Sequence, residues 1–446
     1  MKKSTILFLF LNLYRFLWRL ALPILRKDIR LRDSIKERTS SDHFKKADIW
    51  IQAASAGEST LAVQLVNNLD FERSISFEKQ KQILITSTTS QGLALLSQNL
   101  SLPSSSSDIS SYYASHDNIS KFKSTNITWF PFDIPDLIES IICKVKPALV
   151  VLLETELWPS LLFAAKKYGV KVVVINGRMS KRSHRNYMLT RWLWSKIEPH
   201  TVLAISDTDA QRFRNIFPCA IIDVMPNMKF DNILTNSDDS NIRILPADIP
   251  FSILGSVRKE EEDDVFAIIN QILEKFPNQV VGLFPRHLHR IDFWKKRLSQ
   301  TDHKWHLVSE IYDEIYKTKK PIALGTVILW DRFGELKNAY SFATVAFVGG
   351  SLKPLGGHNF IEPLTSGAVT VTGPYIDDFA WAGEEIFTQN IVKKADNRDC
   401  VADFMVTILK NPPDRKEIIK KSLDYIAKKQ GGTSVACNRI KQYLLM

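Results

Sequence analysis

Residues 345–374 read VAFVGGSLKPLGGHNFIEPLTSGAVTVTGP, two apolar runs separated by a glycine-rich loop and a helical segment. Val345 to Val348 is a short apolar run ending in Gly349-Gly350, the mark of a buried strand in a parallel sheet. Ala368 to Thr372 is a second such run, ending at Gly373-Pro374. Between them, Asn359 to Ser366 has helical spacing and is closed by Gly367. The unit is therefore strand, loop, helix, strand. Its loop carries Gly349, Gly350, Gly356 and Gly357, so backbone N–H groups there can come close to an anion at a helix N-terminus. Asn359 and Glu362 are three residues apart and share a helix face. A phosphate on the loop and a sugar hydroxyl on Glu362 would make a nucleotide site. The plainer alternative is a loop of structural glycines beside a surface glutamate.

Outward from this unit, apolar runs and helical stretches alternate along most of the chain, as in a doubly wound α/β protein. The 446 residues suffice for two domains with full cores. With 45% apolar and 24% charged residues, the composition is that of a globular protein. Cys143, Cys219, Cys400 and Cys437 are scattered without CxxC spacing, which points to a reducing compartment with neither disulfide framework nor zinc site. The formal charge is +11, and residues 1–48 alone carry twelve Lys/Arg against five Asp/Glu. Such a patch suits nucleic acid or an anionic membrane.

The neighbouring residues decide for the membrane. Residues 4–25, STILFLFLNLYRFLWRLALPIL, are strongly apolar, but Asn12, Arg15 and Arg19 recur on one helical face and Arg26 continues the stripe. Phe8, Leu11, Leu17, Trp18 and Leu22 occupy the other face. Arginines near the middle of a spanning helix are costly, so an amphipathic helix lying in the interface is preferred to a tilted span. A cleaved signal peptide is disfavoured because no A-x-A site follows. Arg26, Lys27, Arg30, Arg32 and Lys36 extend a polybasic flank. No nucleic-acid motif follows, so no nucleic-acid partner is expected.

In the first half, strand Ile49 to Ala54 runs into Ser55-Ala56-Gly57-Glu58 and a helix, placing Glu58 at the mouth of a sheet. There a carboxylate serves either as general base or as a first-turn helix cap. Strand Gln82 to Ile85 leads into Thr86 to Gly92, whose hydroxyls suit a phosphate or sugar and equally an N-cap. Strand Leu149 to Leu153 is followed by Glu154-Thr155-Glu156-Leu157-Trp158-Pro159, where the two carboxylates either hold sugar hydroxyls or cap the helix opened by Pro159. Strand Lys171 to Ile175 precedes a loop with Arg178, Lys181, Arg182 and Arg185, suited to a phosphorylated or acidic substrate or simply solvated. Asn99 to Lys123, Ser-rich over 100–120, reads as an exposed insertion.

The second half resumes the rhythm after a polar stretch. Gly255-Ser256 at a helix start is a second anion-friendly turn. Strand Val280 to Phe284 ends in Pro285-Arg286-His287-Leu288-His289-Arg290; two histidines without a third ligand are a weak zinc signal, and a cationic grip on phosphate or carboxylate fits better. The helical tail from Asp414 to Met446 is of a kind that often returns to brace a first domain.

The run GGSLKPLGGHNFIEP (349–363) closely resembles the donor-binding motif of bacterial 3-deoxy-D-manno-octulosonic acid (Kdo) transferases of lipopolysaccharide synthesis. ASAGE (54–58), TSTTSQG (86–92), ETELWP (154–159), NGRMSKRS (176–183), NMKFD (227–231) and PRH (285–287) also resemble landmarks of that family, in order. The resemblance implies a GT-B fold, two Rossmann-like doubly wound domains facing a cleft, preceded by a membrane-associated helix. On that basis residues 1–30 form the anchoring helix, 44–231 the acceptor domain, 232–249 a linker, 250–425 the donor domain and 426–446 a C-terminal helix.

It further implies an inverting, metal-independent transfer of Kdo from CMP-Kdo to a lipid A precursor (lipid IVA), with no cofactor, at the cytoplasmic face of the inner membrane. Glu58 becomes the general base. Arg286, His287, Gly349, Gly350, Ser351, Gly356, Gly357, Asn359 and Glu362 become the donor set, and Glu154, Glu156, Arg178, Lys181 and Lys229 the acceptor side. Three departures stand out. Ala56 replaces a β-branched residue, Val257-Arg258 a Thr-His pair, and Leu288 a frequent proline, so donor contacts from the 255–258 turn are in doubt. The alternatives are a GT-B enzyme using another nucleotide-sugar and a nucleotide-sugar epimerase. The amphipathic helix argues against the epimerase, and ASAGE and ETELWP against the other transferase.

Overall fold

The computed structural model describes residues 2–69, 81–100, 125–233, 249–311 and 323–445, without the side chains of residues 2–8 and 30. The Ser-rich insertion past Leu100 and linker residues 234–248 lie outside the described residues. The chain divides into two compact units, one formed by residues 1–236 and 429–446 and the other by 237–428.

The first unit is built on strands β1 (Ile49–Ala53), β2 (Ile83–Ser87), β3 (Thr125–Trp129), β4 (Leu149–Leu153), β5 (Lys171–Gly177), β6 (Thr201–Ala204) and β7 (Ile221–Val224). They form one parallel sheet in the order β3-β2-β1-β4-β5-β6-β7. Leu149 to Leu153 are fully buried because helices cover both sheet faces, which is why this strand reads as an unbroken apolar run. Order reverses between β1 and β4. At such a switch point successive crossovers leave on opposite faces and open a crevice beyond the strand ends.

The helix Gly432–Leu445 belongs to this unit. Ala436, Cys437 and Ile440 pack into the core around β1 and β4. Its start is fixed by Asp231, whose carboxylate accepts from the N–H groups of Gly431 (2.7 Å) and Thr433 (2.6 Å).

The second unit carries β8 (Phe251–Val257), β9 (Val280–Pro285), β10 (Lys304–Leu307), β11 (Thr326–Leu329), β12 (Val345–Val348), β13 (Val369–Thr372) and β14 (Val392–Lys394). Its parallel order is β10-β11-β9-β8-β12-β13-β14, with the switch point between β8 and β12. The helix expected over 359–366 is shorter, Ile361–Thr365, because the Asn359 side chain accepts from the Ile361 N–H (3.1 Å) and holds an open turn before it.

Lys2–Leu25 is one helix, and among the described residues no helix is long and apolar enough to cross a membrane. Its faces differ from those the sequence pattern assigns. Leu11 is buried, Trp18 packs on Phe132 with ring centroids 5.6 Å apart, and Arg15 pairs with Asp136 at 2.8 Å. Tyr14 donates to Asp133 at 3.2 Å. The arginine stripe thus faces the protein in part, while Leu9, Leu13, Phe16, Leu17, Leu20 and Ile24 stay exposed.

Candidate active site

Glu58 lies in the first turn of the helix Ala56–Asn68, just past the end of β1 and so at the switch point of the first unit. Ser55 caps that helix by accepting from the Glu58 N–H. The Glu58 carboxylate reaches back to the Ala54 N–H at 2.6 Å and the Ser55 hydroxyl at 3.0 Å. Capping and chemistry are therefore compatible readings of one residue: the contacts fix the rotamer of a carboxylate that is only 8% exposed. Burial pushes its pKa up to about 7, against the Ala54 bond that lowers it; Glu154 adds to the rise, and Ser55 and Lys229 oppose it.

Glu154 follows the end of β4, the strand beside β1, and its φ of 55° is left-handed backbone that a non-glycine residue adopts only under constraint. The constraint is visible: its N–H donates to the Ile175 carbonyl (2.9 Å), and its carboxylate pairs with Lys229 at 2.7 Å. Lys229 is presented by the 3₁₀ turn Met228–Phe230, capped by Asn227, and the Met228 N–H is held by the Asn176 side chain at 3.0 Å. Glu156 completes the group. Burial, then the charge of Glu58, raises its pKa to about 7. The structure thus gathers Glu58, Glu154, Glu156 and Lys229. Arg178 adjoins them through its carbonyl, which accepts from Thr155, whereas Lys181 stands exposed in the first turn of the helix Lys181–Leu189.

In the second unit a cavity of about 390 Å³ opens over the ends of β8, β9 and β11, lined by Arg286, His358, Asn359 and Glu362 among others. Arg286 is tied at its N–H to the Val257 carbonyl (2.8 Å). Asn359 donates to the Glu362 carboxylate at 2.8 Å, and burial raises the Glu362 pKa while Asn359, Lys337 and Arg286 lower it. Burial, then Arg286, Arg258 and His287, lowers the His358 pKa to about 4, and its buried Nε2 has no protein partner. A neutral ring with an unsatisfied nitrogen beside cations is suited to a polar ligand. His287 stacks on His289 at 5.4 Å. The aromatic pair Phe284 and Trp330, stacked at 4.3 Å, forms the apolar wall.

Several backbone N–H groups of the glycine loop are taken up within the protein. Glu261, fully buried, accepts from the N–H groups of Gly350 (2.6 Å), Leu352 (2.7 Å) and Arg258 (3.3 Å). The Gly349 and Gly357 N–H groups donate to the carbonyls of Gly255 and Gly350, both at 2.8 Å. Ser351 bridges Val348 and Gly373. Gly356 turns with φ of 88°, where a Cβ would strike Asp378. Four of the loop's N–H groups are therefore already satisfied within the protein. Gly350 has φ of 70°, and a Cβ there would sit 2.8 Å from the His358 ring. The loop shapes the cavity, and side chains line it. Glu261 gave only the signal of a first-turn acid three residues beyond Arg258, the spacing of a reach-back cap.

The family model for 3-deoxy-D-manno-octulosonic-acid transferase (kdotransferase) matches residues 32–232. A bifunctional glycosyltransferase/methyltransferase of Fusobacterium nucleatum is 27% identical over 409 residues, covering 89% of this chain and 58% of its own length. The chain thus spans little more than half of that relative. The 3-deoxy-D-manno-octulosonic acid transferase of Haemophilus influenzae is 26% identical over 411 residues, covering 89% of this chain and 87% of its own. Among solved structures, the S. aureus MnaA–UDP complex matches with a TM-score of 0.50 and 15% identity, over 90% of this chain and 97% of that one, a likeness of fold. The matched segment 32–232 includes Glu58, Glu154, Glu156 and Lys229. The family model and these relatives support the 3-deoxy-D-manno-octulosonic-acid (Kdo) transferase family of glycosyltransferases for this chain.

Proposed function

We propose that the protein transfers Kdo from CMP-Kdo to a hydroxyl of a lipid A precursor, inverting the anomeric carbon, without a metal ion, at the cytoplasmic face of the inner membrane. The observation that carries this reading is Glu58: a buried carboxylate at a switch-point crevice, held in one rotamer, with a pKa near 7. A general base needs that combination. Glu58 takes the proton of the acceptor hydroxyl as its oxygen bonds to the anomeric carbon of Kdo. The bond from that carbon to the CMP phosphate breaks, and its electron pair leaves with CMP. The departing phosphate carries the developing charge; Arg286, with Arg258 nearby, supplies fixed positive potential for it, and the neutral His358 ring offers a hydrogen-bonding nitrogen. Glu362, oriented by Asn359, accepts from a sugar hydroxyl.

The experiment is transfer from freshly generated CMP-Kdo to a tetraacylated lipid A precursor, with products resolved by mass spectrometry. A gain of one or more Kdo masses, unchanged by EDTA, is the expected result. No gain with folded protein and intact donor would overturn the assignment and direct a screen of other nucleotide-sugars.

The exposed row Leu9, Leu13, Phe16, Leu20 and Ile24, flanked by Arg19, Arg26 and Lys27, supports a helix lying in an anionic bilayer surface. Leu13→Glu combined with Leu20→Glu should weaken sedimentation with phosphatidylglycerol vesicles about tenfold or more, since each leucine withdrawn from lipid forfeits about 1.5–3 kcal/mol. The buried face of the helix is untouched, so the melting temperature should hold. Equal sedimentation of the variant would remove this helix from the membrane contact.

A further inference from the structure

A second cavity, of about 520 Å³, lies in the first unit at the opposite edge of the sheet from Glu58, where β5, β6 and β7 begin. Nothing in the transfer reaction uses it. Cations reach it from separate elements: Lys166 from the helix Pro159–Lys167, Lys171 from the first position of β5, and Arg439 from the helix Gly432–Leu445. Lys166 and Lys171 stand close enough to His200 to depress its pKa, after burial, so their charges converge on one wall.

His200 is fixed in a useful orientation. Its Nδ1 accepts from the Val172 N–H at 3.1 Å, so the neutral ring keeps its proton on Nε2 as a donor. The one acid among the lining residues, Glu198, is occupied by the Cys219 N–H at 3.0 Å, and Arg439 is braced by Asp223 at 2.8 Å. Leu162, Val172 and Ile221 supply apolar wall.

The structure assigns this cavity as a binding site for a small organic phosphate with an apolar body. Lys166, Lys171 and Arg439 outnumber Glu198 and the Asp223 that pairs with Arg439, leaving a positive excess that suits a phosphate, and Leu162, Val172 and Ile221 give the lining its aliphatic part. Lys171, exposed and with no ion pair among the described residues, is the group with a charge to give. An occupant would rest on Arg439 and Tyr443, both on the helix whose other end is fixed by Asp231 beside the Lys229 turn.

Cys219 lines the cavity and is exposed, which makes it a reporter. With the full chain and phenyl phosphate as probe, iodoacetamide alkylation of Cys219, followed by peptide mass spectrometry, should slow about tenfold at ten times Kd. Alkylation of the exposed Cys143, away from the cavity, should keep its rate. Lys166→Glu with Lys171→Glu should abolish the protection; if that pair fails to fold, Lys171→Glu alone gives the same readout. Unchanged Cys219 reactivity, equal protection in the variants, or the same effect from sodium chloride at matched ionic strength would each overturn the site.

Discussion

Glu58→Gln should lower the rate of transfer by roughly 10²–10⁴-fold, the usual contribution of a positioned general base. The replacement keeps the size and one acceptor oxygen of the side chain, so the loss should fall on kcat with KM for CMP-Kdo little changed. The pH profile offers a second reading of the same group. With a pKa near 7 in place of the usual 4.5, Glu58 is protonated through the mildly acidic range, and kcat/KM should fall as pH drops below about 7. The sign for stability runs the other way. The folded protein holds the protons of Glu58 and Glu156 more tightly than the unfolded chain does. The stability they contribute is therefore full below about pH 4.5 and lost as pH rises through about 7. A Glu58→Gln variant that keeps substantial turnover, or an acid limb unmoved from the ordinary carboxylate range, would remove Glu58 from the role of base.

The largest effect on stability is expected at Glu261. Glu261→Ala leaves the N–H groups of Gly350, Leu352 and Arg258 without their shared acceptor in a dry interior. At about 1–3 kcal/mol per stranded donor, and with partial relaxation, the loss should be about 3–5 kcal/mol. Urea unfolding of the second unit reads it directly. The loop also positions His358 against Gly350, so donor KM should rise in any folded fraction. A loss below about 1 kcal/mol would mean that water replaces the carboxylate and that the loop needs no such anchor.

Much of this architecture is legible in the chain. The central strands announce themselves because a strand covered on both faces must be apolar throughout, as Leu149 to Leu153 is. Edge strands do not. Ile221 to Val224 and Lys304 to Leu307 mix exposed and buried residues and carry no such run. Glu58 is visible because it follows a strand at a turn, and local order places it. What the sequence could not supply is pairing at long range. Nothing local joins Glu261 to a loop ninety residues on, or says that Glu154 and Lys229 meet. Helical periodicity divided Lys2–Leu25 into two faces, but it contains no information about which of them a protein surface will claim. Asp133, Asp136 and Phe132 made that choice.

The return of residues 429–446 to the first unit has a consequence for synthesis. The second unit is one continuous stretch, complete once residue 428 has left the ribosome. The first unit begins earlier yet finishes later, because Ala436, Cys437 and Ile440 fill its core. Until they emerge, the sheet carrying Glu58 has an unfilled apolar groove. The usual N-to-C order of domain maturation is inverted here. A premature stop near residue 430 would therefore spare the part of the chain made just before it and cripple the part made first.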